Sequence, residues 1–218
     1  MDMKYKLIIF DLDGTILDTL DDLADSVNYA LAKNGLPERE VDEIRSFVGN
    51  GIRLLIERSV QSDTDIRLTD RIFSDFKEHY KDNCCNKTKA YDGIISVLRK
   101  LIDADIFTAV VSNKADFAVK EIVCRYFDGC FGYFAGEKDG IPRKPSPDSV
   151  NEAIRHFGVD KENVLYIGDS EVDVQTAKNA EIDCVCVSWG FRDAQFLKDN
   201  DANVIVDDAS ELEKILMS

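Results

Sequence analysis

Four consecutive apolar residues, Leu7-Ile8-Ile9-Phe10, end abruptly at Asp11. A short apolar run without polar alternation predicts a strand buried on both faces. The period then changes. Leu20, Leu23, Ala24, Val27, Ala30 and Leu31 share one face of a helix over 17–33, which Gly35-Leu36-Pro37 stops. Asp18 is the expected N-cap, and Asp21 and Asp22 suit the positive end of that helix. Helical spacing recurs over 40–47, 51–60 and 68–83, and no strand pattern appears between Asp18 and about Thr88. Residues 17–88 therefore read as an all-helical unit.

Beyond Thr88 the two periods alternate. Strand patterns over 107–111, 130–135, 163–167, 184–187 and 203–206 interleave with helical ones over 92–102, 115–126, 146–157, 172–180 and 210–217. Ser146 is the expected N-cap of the third of these helices, with Pro147 at its first position. Alternation of this kind implies right-handed βαβ units and a parallel sheet with helices on both faces. The predicted architecture is a Rossmann-like α/β core over 1–16 and 89–218, interrupted by an inserted helical cap over 17–88.

Charge and composition narrow the partners. The 218 residues carry 27 Lys and Arg against 42 Asp and Glu, a formal net charge of −15, which repels nucleic acid. No run of eighteen apolar residues is present, so no membrane partner is expected. The first apolar run is too short for a signal peptide, and a cytoplasmic location follows as the expectation. The six cysteines form no C-x-x-C pair, and with only His79 and His156 to assist they predict buried free thiols, not a zinc site.

In parallel α/β sheets ligands bind outside the carboxyl ends of the strands. The polar residues that follow each apolar run are therefore the candidates: Asp11 and Asp13 after the first, Ser112, Asn113 and Lys114 after the second, and Asp169 with Asp173 after Ile167-Gly168. Lys144 lies in a proline-flanked loop before a helix. Several carboxylates at one sheet edge require a cation, and an all-oxygen set suits Mg2+ completed by water and a substrate phosphate. A carboxylate beside such a cation can attack phosphorus, and Asp11 is the expected nucleophile. Asp13, two residues on, is the expected acid and base. Ser112 and the backbone N–H groups near Asp13-Gly14 and Asn113 are expected to hold phosphate oxygens, with Lys114 a solvated residue at the start of the next helix.

Phe10-Asp11-Leu12-Asp13-Gly14-Thr15, Ser112-Asn113-Lys114, Arg143-Lys144-Pro145-Ser146-Pro147 and Gly168-Asp169-Ser170-Glu171-Val172-Asp173 together resemble the four ordered motifs of the haloacid dehalogenase superfamily. The resemblance implies a phosphatase that passes through an aspartyl-phosphate on Asp11, with Asp13 as acid/base and Ser112 and Lys144 at the phosphoryl group. It implies Mg2+ on the carboxylates of Asp11 and Asp169 and on the backbone carbonyl of Asp13, with Asp173 as a direct or water-mediated support. Gly14, Thr15 and Asn113 are the further substrate-binding candidates of the core, and Asn50 and Arg53 those of the cap. For Asn50 and Arg53 a loop turn and a salt-bridged helix face are the competing readings.

Val48-Gly49-Asn50-Gly51 and Ser188-Trp189-Gly190-Phe191-Arg192 are similar to the phosphoglycolate phosphatase-like branch, which implies a small-molecule phosphate ester as partner and a monomer or homodimer. A pyrophosphatase, a nucleotidase or a β-phosphoglucomutase-like phosphomutase is the alternative. Two positions depart from the pattern: Ala180-Glu181 stands where Ala-Gly is usual, and Ala90-Tyr91-Asp92-Gly93 where Pro-Tyr-x-Gly is common.

Overall fold

The fold is taken from a computed structural model that describes residues 3–217. The chain divides into two compact units, Met1–Leu17 with Ala90–Ser218, and Asp18–Lys89.

The first unit is built on a six-stranded sheet. Its strands are β1 (Leu7–Phe10), β4 (Phe107–Ala115), β5 (Tyr133–Glu137), β6 (Val164–Gly168), β7 (Asp183–Val187) and β8 (Ile205–Val206). The spatial order is β5-β4-β1-β6-β7-β8, and the pairings are parallel. The chain leaves β1 toward β4 and β5, then returns to the other side of β1 for β6, β7 and β8. The order thus reverses between β1 and β6, and at such a switch point the loops diverge and open a crevice. Phe10 pairs with Val110 on one side and Ile167 on the other, so the residues following each of these three reach one level at the edge of the sheet.

Five helices alternate with these strands: α5 (Ile94–Asp103), α6 (Asp116–Tyr126), α7 (Asp148–Phe157), α8 (Glu171–Ala180) and α10 (Ala209–Leu216). Leu7, Ile9, Ala109, Val111, Val164 and Tyr166 join Val150 and Ala153 of α7 and Ala177 and Ala180 of α8 in one buried cluster. Its apolar burial drives the assembly of this face of the sheet. A short helix, α9 (Ala194–Asp199), has no strong period in sequence but is capped by Asp193, whose carboxylate accepts from the Phe196 N–H at 2.8 Å.

The second unit contains α1 (Leu20–Lys33), α2 (Val41–Phe47), α3 (Gly51–Ser59) and α4 (Ile66–Asn83). Val27, Ala30, Leu31, Ile56, Ile72 and Phe76 are fully buried. The buried Asp22 carboxylate accepts from the backbone N–H groups of Lys87 and Thr88 and from the Thr88 hydroxyl at 2.7 Å, tying the end of this unit to its first helix. Short strands β2 (Leu17–Asp18) and β3 (Lys89–Ala90) pair as a separate two-stranded sheet.

Two expected caps differ. Asp18 belongs to β2, and Thr19 is the N-cap of α1. Pro147, not Ser146, caps α7, and the Ser146 hydroxyl donates to the Asp148 carboxylate. The six cysteines are free thiols, but only Cys84 and Cys186 are buried: Cys85, Cys130 and Cys184 are partly exposed and Cys124, on α6, faces solvent.

Candidate active site

Asp11 follows β1, and its N–H continues the ladder by donating to the Ile167 carbonyl at 2.9 Å. The chain then turns tightly. The N–H groups of Thr15, Ile16 and Leu17 all donate to the Leu12 carbonyl, and the Gly14 N–H donates to Leu17. Gly14 takes φ +86° there, a left-handed conformation that glycine adopts at little cost. The N–H groups of Gly14 and Thr15 are thus used inside the turn. Thr15 gives the site its hydroxyl, which donates to Asp169 Oδ1 at 3.2 Å.

Asp169 follows β6. Its Oδ2 accepts from the Phe191 N–H at 2.7 Å, so the loop after β7 fixes the carboxylate from the far side. Gly190 permits that approach: a Cβ there would lie 2.3 Å from the Gly14 carbonyl oxygen. One helical turn on, the fully buried Asp173 completes a capping box with Ser170 at the start of α8. Its Oδ2 accepts from the Asp169 N–H, the Ser170 N–H and the Ser170 hydroxyl, the last at 2.6 Å. Its Oδ1 lies 2.8 Å from Lys144 Nζ.

Lys144 is the hub. Its buried ammonium lies 2.8 Å from Asp11 Oδ1 and from Asp173 Oδ1, and donates to the Tyr166 hydroxyl at 3.0 Å. The Asp11 contact is an ion pair outside good hydrogen-bond alignment, for Oδ1 is buried and meets no aligned donor. Asn113 holds the Lys144 backbone from both directions: its Nδ2 donates to the Lys144 carbonyl at 3.1 Å, and its Oδ1 accepts the Lys144 N–H at 2.9 Å.

Burial and neighbouring charges together set the titrations of the cluster. Burial raises Asp11 to about 6, the Asp173 charge adds to the rise, and Lys144 opposes it. Burial also carries Asp169 well above the usual carboxylate value, with Asp173 and Asp11 adding to it. Burial alone would lower Lys144, but Asp11 and Asp173 outweigh it and hold the ammonium well above its ordinary value.

Asp13 is engaged differently from the expectation for its surroundings. Lys114 Nζ lies 2.9 Å from Asp13 Oδ1 and 3.2 Å from Oδ2. Far from being solvated at a helix start, the Lys114 side chain is 3% exposed and belongs to β4, which runs four residues beyond the expected end at Val111. The Ser112 hydroxyl accepts the Lys114 N–H at 3.2 Å in the same segment. Tyr166 was hidden within an apolar run. Lys114 was hidden by the Ser-Asn-Lys break, which reads as the end of a strand.

Asn50 and Arg53 lie in the helical unit. Asn50 is the N-cap residue of α3 without a side-chain cap bond. The Arg53 guanidinium pairs with Glu57 at 2.6 Å and Asp70 at 2.5 Å, the salt-bridged helix face. His79 is half-buried, stacked on Tyr29 with centroids 4.1 Å apart.

Asp11, Asp169 and Asp173 bring one carboxylate oxygen each within 4.8 Å of one another, all three residues being buried. Lys144 contacts only two of them. Three buried carboxylates and one ammonium leave an excess of negative charge, which adds to the rise that burial gives Asp169. An oxygen-ligated divalent cation fits this donor set. Asp11 Oδ1 meets no aligned donor and each Asp169 oxygen accepts a single bond, from Thr15 and from Phe191, so both keep lone pairs to offer it, whereas the Asp173 oxygens accept two and three bonds from Lys144, Tyr166 and the 169–170 segment.

A sequence profile of haloacid dehalogenase-like hydrolases matches residues 8–187. A phosphoglycolate phosphatase of Mesorhizobium japonicum is 36% identical over 195 residues, covering 88% of this chain and 86% of that one. A phosphoglycolate phosphatase of Mannheimia succiniciproducens is 31% identical over 224 residues, covering 99% and 100%. A crystal structure from Lactobacillus delbrueckii subsp. bulgaricus, described as a candidate phosphoglycolate phosphatase, superposes with a TM-score of 0.95 at 38% identity, covering 99% of this chain and 100% of that one.

Proposed function

The chain belongs to the haloacid dehalogenase-like hydrolases, and from that premise we propose that it is a Mg2+-dependent phosphatase of small phosphate monoesters, with phosphoglycolate as its substrate. The observation that carries the reading is the Asp11 carboxylate at the end of β1, 2.8 Å from a buried ammonium and clustered with Asp169 and Asp173.

An Asp11 oxygen attacks phosphorus as the bond to the leaving oxygen breaks, giving an acyl phosphate and an alcohol. Asp13 donates its proton to the leaving oxygen. It then takes a proton from the water that attacks the same phosphorus, which frees Asp11 and releases inorganic phosphate. Lys144 neutralises charge between Asp11 and the phosphoryl oxygens, and the Ser112 hydroxyl binds one of them. Asn113 fixes the Lys144 backbone, and Asp173 orients its ammonium. The Asp11 and Asp169 carboxylates and the Asp13 carbonyl, supported by Asp173, would hold Mg2+, which would supply further positive charge for the phosphoryl oxygens. Gly14 and Thr15 shape the turn against Asp169.

We assign the helical unit the part of a cap that selects the leaving group, with Asn50 and Arg53 as its contacts. Arg53 would exchange one of its carboxylate partners for the substrate. The activity is assigned to the cytoplasm, and the net charge of −15 supports a small-molecule ester over nucleic acid.

The names of the two relatives at 36% and 31% identity support phosphoglycolate over the alternatives. The test is a panel of phosphorylated metabolites assayed for free phosphate with and without Mg2+. Metal-dependent release, fastest from phosphoglycolate, is expected. Interconversion of sugar phosphate isomers without phosphate release contradicts it and favours a mutase.

A further inference from the structure

We propose that Lys114 also reads the leaving group, from the side of the core, selecting alcohols that carry a carboxylate next to the oxygen that departs. The inference rests on the phosphatase reading and deepens it.

Lys114 is a buried ammonium that sits beside the acid/base Asp13 and not beside the nucleophile. The nucleophile already has Lys144, which sits with Asp11. The two lysines address the two carboxylates of the first motif separately: Lys144 pairs with Asp11, and Lys114 grips Asp13 at 2.9 and 3.2 Å. Holding a buried lysine charged is costly, and its position on the leaving-group side gives it a use beyond pairing with Asp13.

Its place supplies one. Asp13 must lie within hydrogen-bond distance of the leaving oxygen, about 3 Å, to protonate it. Lys114 Nζ is one further hydrogen bond away, so it stands within about 6 Å of that oxygen. In a 2-hydroxy acid the carboxylate is attached one carbon from the oxygen that leaves. Such a group reaches the ammonium while the phosphoryl group remains on Asp11. A neutral alcohol of equal size offers the ammonium no such contact.

The experiment compares kcat/KM for 2-phosphoglycolate and ethyl phosphate, a pair matched in size and differing in the carboxylate. It is run on the wild type, Lys114→Met and Lys114→Arg. The wild type is expected to favour the anionic substrate. Lys114→Met should lose on both through Asp13, but lose about tenfold to a hundredfold more on 2-phosphoglycolate, the worth of a charge-assisted contact. Lys114→Arg should keep most of the preference. An equal loss on both substrates would overturn the proposal, since Lys114 then merely positions Asp13. So would a wild type without preference. Should Lys114→Met fail to fold, the wild-type ratio and the Lys114→Arg ratio still decide. A wild type that hydrolyses neither ester overturns the phosphatase reading itself.

Discussion

Gly14 and Asp169 fit together with no room for a methyl group: a Cβ on Gly14 would lie 2.3 Å from Asp169 Oδ2. The glycine is required twice, once by its φ of +86° and once by this approach. Gly14→Ala is expected to displace the Asp169 carboxylate and to lower kcat/KM by roughly a hundredfold or more, about 3 kcal/mol. Steady-state kinetics with a Mg2+ titration checks it. Unchanged kinetics and metal affinity would show that Asp169 has slack.

Asp173 accepts from Lys144, Asp169, Ser170 and the Ser170 hydroxyl while fully buried. An amide in its place would turn an NH2 toward either an ammonium or backbone N–H groups. Asp173→Asn should therefore cost about 3–5 kcal/mol of stability, the scale for breaking a buried pair. Urea unfolding monitored by far-UV circular dichroism measures it. A loss below about 1 kcal/mol would mean that the network relaxes around the amide.

The raised Asp11 gives a pH dependence with a definite sign. Its folded value of about 6 exceeds the ordinary 3.8, so the native chain holds a proton that the unfolded chain releases between these values. Without metal, stability should fall as pH rises from about 4 to about 6, by at most about 3 kcal/mol from this group. Asp169 is raised as well and acts in the same sense. Mg2+ at this site would require the deprotonated carboxylates, so its stabilising effect should grow across that window. Unfolding in urea with EDTA and with Mg2+, near pH 5 and near pH 7, reads both trends. A Mg2+ effect independent of pH contradicts them.

Glu181 occupies a left-handed turn at the end of α8, φ +60°, where glycine is the ordinary residue. The side chain is exposed and pairs only at the surface with Lys161. Glu181→Gly should raise stability by about 1 kcal/mol, with no change in kinetics. A thermal melt tests it, and a lower midpoint would show that the surface pair outweighs the backbone strain.

The parallel sheet and the helical unit were legible because burial imposes period 2 or unbroken apolar runs on strands and period 3.6 on helices. That Asp11, Asp169 and Lys144 lie together was legible because each follows such a run or sits in a proline-flanked loop. What escaped was decided by pairing across long sequence distances. β4 continues through Ser112-Asn113-Lys114 because Ala115 pairs with Glu137 beyond a register shift, which no local pattern announces. Lys114 therefore read as a solvated residue. Tyr166 read as core, since an aromatic ring in an apolar strand satisfies the pattern whether or not its hydroxyl meets Lys144. Asp22 read as a helix-end charge, although its work is to hold Lys87 and Thr88.

The claim on which the account depends is that Asp11 takes the phosphoryl group. Rapid acid quench during turnover of phosphoglycolate with Mg2+, followed by proteolysis and mass spectrometry, tests it directly. The account predicts a phosphorylated peptide containing Asp11, chased by water on the timescale of turnover and absent from Asp11→Asn, which should be inactive yet folded. Metal-dependent turnover by Asp11→Asn at near wild-type rate, or phosphoryl label on a different residue, contradicts it.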